Sequence, residues 1–151
     1  MKTILLSVLF ISLLTTSCKK EEVVVAPDLS KNFVGVYRAI TKPSTTKEYE
    51  YQLTVIKKDI TKISMTLIET LKSYDSNKKL IDTEMYSTEF KDVLLKDETN
   101  FEVNEIVTRV RRSPVQEQKY QMSGNGILTG KSLTLVLKSD GQTGTQTLVK
   151  N

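Results

Sequence analysis

Few residues in this 151-residue chain are suited to chemistry. Cys18 is the only cysteine, and there is no histidine. A lone thiol supports neither an intrachain disulfide nor a thiolate metal cluster. Without imidazole there is no Ser–His–Asp triad, no histidine metal site and no histidine pH switch. What a single cysteine offers is one nucleophile, and its position is distinctive. It follows the apolar run Ile4 to Leu14, broken only by Ser7 and Ser12, and the small polar stretch Thr15-Thr16-Ser17.

The remaining candidates are charged residues that share strand parity with apolar ones: Glu69 with Leu67 and Leu71, Glu105 with Phe101 and Val103, and Arg109 with Val107. An unpaired buried charge is very costly, so a carboxylate and a guanidinium inside a barrel would have to pair, and such a pair could line a ligand cavity. The simpler placement puts these residues at barrel mouths, or lets a bulge turn Glu105 and Arg109 outward. Tyr49, Tyr51, Tyr120 and Met122 could likewise line an apolar pocket or serve as ordinary core and rim residues. Nothing points to catalysis. Glu48 and Glu50 merely share the polar face of one strand, whereas acid–base work needs carboxylates converging in a cleft. Gly124-Asn125-Gly126 lacks the helix that a phosphate-cradling loop requires. The chain therefore reads as a non-enzyme with no metal and no cofactor.

These positions depend on the segments around them. Lys2 and the eleven-residue apolar run are too short to span a bilayer, which takes roughly 18 residues or more, and they suit a secretory signal. Here the chain resembles bacterial lipoprotein precursors, whose lipobox ends in cysteine. The matching positions are Thr16, Ser17 and Cys18, with Thr15 standing where a leucine-like residue is usual. The resemblance implies cleavage before Cys18 and its acylation. At about 0.8 kcal/mol per buried methylene, two or more chains would hold the protein stably to a membrane. The following Lys20, Glu21 and Glu22 are similar to the export signal of surface lipoproteins in some Gram-negative groups, which implies display on the outer face of the outer membrane. The alternative is a solvated tether that carries no signal.

The implied organisation is a signal peptide at 1–17, a lipidated N-terminus and tether at 18–32, and one domain at 33–151. Val23 to Val25 could instead add a short edge strand. From Cys18 onward 21 basic residues oppose 18 acidic ones, interspersed rather than striped, so nucleic acid is not an expected partner. Only Arg109, Arg111 and Arg112 cluster, which suits a solvated strand end before Ser113-Pro114 or a contact to an anionic ligand.

The domain reads as antiparallel sheet. Residues 48–55 and 62–71 alternate apolar and polar about a turn at Lys57-Lys58-Asp59, which predicts a hairpin. Turn formers at 74–79 and 97–100 separate further strands. Residues 80–95 read as two short strands, about 80–87 and 88–95. The apolar parity between Val103 and Ile106 suggests a bulge near Asn104-Glu105. Ser123–Leu128 and Leu133–Leu137 form a hairpin about Gly130, and Asp140-Gly141 precedes a threonine-rich last strand. With no helical stripe, eight or nine strands imply an all-β, up-and-down antiparallel meander closing into a barrel, with a β-sandwich as the alternative. Phe33-Val34-Gly35-Val36-Tyr37 resembles the Gly-x-Trp opening of lipocalin-like barrels, with Tyr37 in the tryptophan's place, where the family's aromatic closes the barrel floor. The expected partners are a membrane, through the acyl anchor, and a small apolar ligand held without catalysis. The alternative is a filled barrel that contacts a partner protein.

Overall fold

A computed structural model describes residues 25–151. Cys18, Lys20, Glu21 and Glu22 lie outside the described residues, as does the signal segment. The body is an eight-stranded antiparallel barrel in sequence order: β1 (Gly35–Ser44), β2 (Lys47–Lys57), β3 (Lys62–Tyr74), β4 (Leu80–Leu95), β5 (Asn100–Arg112), β6 (Val115–Thr129), β7 (Ser132–Ser139) and β8 (Gln142–Lys150). The meander closes as a barrel rather than a sandwich.

Turn chemistry sets the register. Asp140 and Gly141 both adopt left-handed conformations, φ 49° and 77°, as a two-residue hairpin turn of matching twist requires. Gly130, at φ 59°, opens the β6–β7 turn. Outward positions such as Gln52, Thr66, Glu102, Asn104 and Gln121 are polar, and the inward ones toward one end are apolar. A barrel that crosses a bilayer presents the reverse, an apolar band outside.

One end is tightly packed. A short 3-10 turn, Leu29–Asn32, lies against it, anchored by the Leu29 amide donating to the Ile60 carbonyl at 3.0 Å. Ser30 in that turn is fully buried, so the stretch read as the end of a tether docks on the barrel. Phe33 and Phe101 meet edge to face with centroids 5.6 Å apart. The Tyr37 hydroxyl donates to the Phe33 carbonyl at 2.8 Å, and burial pushes its pKa up to about 12. A Cβ on Gly126 would stand 2.1 Å from the Phe101 ring, so the aromatic floor needs glycine there. Leu53, Ile63, Val93, Leu133 and Leu148 complete this core.

Two expectations are corrected. Residues 80–95 form one strand, β4, not two. The bulge also lies on β4 rather than β5. Between the pairs Ile63↔Val93 and Met65↔Phe90, Lys91 and Asp92 stand opposite Ser64 alone, while the β5–β6 register runs unbroken from Asn100 to Arg112. The reason is local hydrogen bonding: the Glu105 carboxylate accepts from the displaced Lys91 and Asp92 amides at 2.9 and 3.4 Å. Glu105 is the cap of a neighbour's bulge. Ile106 simply points to solvent.

Candidate functional site

Away from the floor the inward row changes character. Across β2, β3, β4 and β5, Tyr51, Glu69, Tyr86 and Arg111 are successive register partners, and Leu67, Thr88 and Arg109 form the adjoining row. Sheet alternation points all seven to the interior. Thr88 is buried, while Tyr51, Glu69, Tyr86, Arg109 and Arg111 are half-buried.

Tyr51, Leu67, Glu69, Thr88 and Arg109 of this set line a cavity of about 230 Å³, whose apolar side is completed by Phe90, Met122, Leu135 and Leu137 and whose polar side by the β8 stretch Gly144, Thr145 and Gln146. Arg109 Nη2 donates to Glu69 Oε2 at 2.8 Å. Its guanidinium also lies 4.3 Å from the centroid of the Tyr86 ring, within the range of a cation–π contact. The next pair repeats the scheme: Arg111 donates to Glu84, whose other oxygen accepts the Tyr86 hydroxyl at 2.8 Å. That hydrogen bond raises the Tyr86 pKa; for Tyr51 desolvation, and next the Glu69 charge, does so. Among the described residues, the buried side-chain polar atoms without a hydrogen-bond partner are Arg109 Nε, Arg111 Nε and Ser139 Oγ. All three belong to this end.

Of the residues singled out from sequence, Tyr51, Glu69, Arg109 and Met122 line this cavity. Tyr120 lines an adjoining one of about 390 Å³ that shares Arg109, Met122, Leu137 and Gly144. Tyr49 stands outside both and stacks on Tyr51, with centroids 6.3 Å apart. The outward placement of Arg109 is corrected, because no bulge interrupts β5 and its alternation carries Arg109 and Arg111 inward. The arginine run therefore divides: two residues pair inside, and exposed Arg112 lines a groove on the outer face. Glu84, Tyr86, Thr88 and Phe90 went unnoticed. They do alternate along β4, but the bulge after Phe90 breaks the period that would have revealed them.

Chemically the site offers an apolar wall and a balanced pair of charges. Glu69 and Glu84 are each engaged by their own arginine, so two free carboxylates do not converge. Among the described residues no group of three or more His, Cys, Asp or Glu side chains is placed to hold a metal ion. No known protein family and no curated protein matches this chain in sequence.

Proposed function

We propose that this protein is a lipid-anchored lipoprotein of the cell envelope, displayed on the outer membrane surface, whose barrel binds a small amphipathic ligand without catalysis. The single observation that carries the binding part is the cavity, where the Glu69–Arg109 pair faces Leu67, Phe90, Met122, Leu135 and Leu137. Its size argues for a compact ligand. About 230 Å³ holds one ring or a short chain, and the adjoining cavity of about 390 Å³, which shares Arg109, Met122, Leu137 and Gly144, brings the two within the roughly 300–1,000 Å³ of pockets for drug-sized molecules. Charge argues for a neutral ligand: Arg109 and Glu69 cancel, leaving donors and an acceptor for one hydrogen-bonding group. The anchor rests on the signal-like run ending at Cys18, and surface display on Lys20, Glu21 and Glu22.

Thermal unfolding in the presence of indole, phenol, hexanamide and hexanoate tests the ligand. Binding to the folded state alone raises Tm with ligand concentration, the stabilisation reaching about 2.7 kcal/mol at 100 times Kd. The neutral probes are expected to stabilise more than hexanoate. A Leu135→Trp chain, whose cavity is filled, is expected to lose the response. No stabilisation by any of them would favour the filled-barrel interaction module. Labelled palmitate incorporation that disappears in Cys18→Ala tests the anchor, and labelling that persists refutes that site. Protease accessibility on intact cells tests display; full protection would argue for a periplasmic address.

A further inference from the structure

The barrel closes through a short seam. Tyr37↔Lys150 and Arg38↔Val149 are the register pairs between β1 and β8, with the Asn151 amide donating to the Val36 carbonyl at 3.1 Å beyond them. Above Arg38 and Val149 the two strands have no register partners in each other. Both present free edges there.

Hairpin geometry tells which groups are free on β8. The two-residue turn at Asp140-Gly141 makes Ser139 and Gln142 a hydrogen-bonded pair, so Gln142, Gly144, Gln146 and Leu148 spend their backbone groups on β7. The chain end agrees with this parity: the Lys150 amide donates toward β7, to Lys131 at 2.8 Å, and the Asn151 amide toward β1. Thr143, Thr145 and Thr147 therefore direct N–H and C=O away from the sheet, and all three are exposed.

Sheet edges are normally guarded by charge or proline. The β1 edge is: Lys42 sits on it, with Pro43 next. From Gly141 to Val149 β8 has neither a charged residue nor a proline. We infer that the free edge of β8 is a self-association surface, on which a second copy of this chain pairs antiparallel through Thr143, Thr145 and Thr147.

The edge complements itself. A two-fold axis through Thr145 pairs Thr145 with its counterpart and Thr143 with the second copy's Thr147, satisfying every backbone group just named. Threonine then faces threonine, a favourable cross-strand pair that this chain already uses where the Thr134 and Thr147 hydroxyls lie 3.1 Å apart. A charged edge would repel its own copy; this one is neutral. The equivalent pairing of two β1 edges would bring Lys42 of one copy toward Lys42 of the other. An isologous contact also closes at two copies and leaves no further edge of this kind.

The test uses the full chain with Cys18→Ser, which removes the only other thiol. Thr145→Cys in that chain places two thiols across the axis, where Cα atoms of a hydrogen-bonded pair stand about 5.5 Å apart, within disulfide range. Mild oxidation is expected to give a disulfide-linked species of twice the monomer mass. Gln121→Cys, exposed on the outer face of β6, is expected to stay monomeric. Sedimentation equilibrium of the Cys18→Ser chain should show mass doubling with concentration. Thr145→Lys, which opposes like charges, should raise the dissociation constant at least about tenfold. Circular dichroism checks the fold of each variant, and Thr143→Lys supplies a second charge on the same edge. Monomer mass at every concentration, equal cross-linking of both cysteine variants, or a dimer indifferent to both lysines would overturn the inference. So would a monomeric barrel that carries a bound peptide on β8.

Discussion

At one end of the barrel Phe33, Tyr37 and Phe101 are fully buried in the interior. At the other, equivalent inward positions carry Glu69, Glu84, Arg109 and Arg111, each partly open to water and each tied to an opposite charge. Both ends are made by the same alternation of eight strands, so topology does not distinguish them. Side-chain chemistry does. The floor gains from close packing, in which every removed contact is felt. The open end gives up some of that burial and holds paired polar groups around a space. A barrel of eight strands is just wide enough for either outcome, and this one divides its length between them.

The largest expected effect breaks the floor. Phe101→Ala removes a fully buried ring beside Phe33 and is expected to cost about 3–5 kcal/mol in urea unfolding. A loss under about 1 kcal/mol would show that the floor is not the stabilising end. Gly126→Ala approaches the same contact from the other side. Its Cβ would meet the Phe101 ring at 2.1 Å, and overpacking of this kind costs about 1–3 kcal/mol. If Gly126→Ala cost as much in a Phe101→Ala background as in the wild type, the clash with that ring would not be the reason for glycine there.

The open end should respond differently. The Glu69–Arg109 side chains are 24% and 36% exposed, and ion pairs this accessible to solvent contribute about 0–1 kcal/mol. Glu69→Gln is therefore expected to leave stability within about 1 kcal/mol while changing which probes stabilise the barrel. A loss comparable with that of Phe101→Ala would make the pair structural and erase the contrast between the ends.

How far the chain could be read by eye follows the same division. Alternation at 48–55 and 62–71 and the turns at 57–59, 97–100, 130 and 140–141 were plain because each strand there keeps a strict period of two. Barrel closure followed from the meander. Tyr51, Glu69, Arg109, Tyr120 and Met122 were legible as inward candidates for that reason. The β4 contribution was hidden by one extra residue. A bulge shifts every later side chain to the opposite face, so Lys91-Asp92 made one long strand look like two weak ones. Its signal was present in another strand: Glu105 has inward parity and no charge partner, but it serves two amides that only the tertiary structure brings near it. The docking of Leu29–Asn32 was invisible for a related reason, since Asp28 caps its own turn and is drawn to Lys57, 29 residues away.

The smallest expected effect concerns pH, and it belongs to the floor. Asp28 is held down to about 2, first by the Lys57 ammonium and then by Ser30. Asp97 is also held to about 2, by the Thr99 amide and the Asn100 side chain, in the turn that joins β4 to β5. Both folded values lie below the ordinary 3.8, so the unfolded chain takes up these protons first. The stabilisation is fully present above pH 3.8 and is lost as pH falls through about 2. Urea titrations at successive pH values should show this acid limb, and Asp28→Asn and Asp97→Asn should each flatten it. The two differ in donor, which mutation can separate. Asp28 depends first on a hydrogen bond from the Lys57 side chain, 29 residues away, whereas Asp97 depends on hydrogen bonds from its own turn. Lys57→Met should therefore remove most of the Asp28 share of the limb while the Asp97 share persists, and an unchanged limb in Lys57→Met would mean that the local Ser30 cap, not the distant lysine, holds the Asp28 turn in acid.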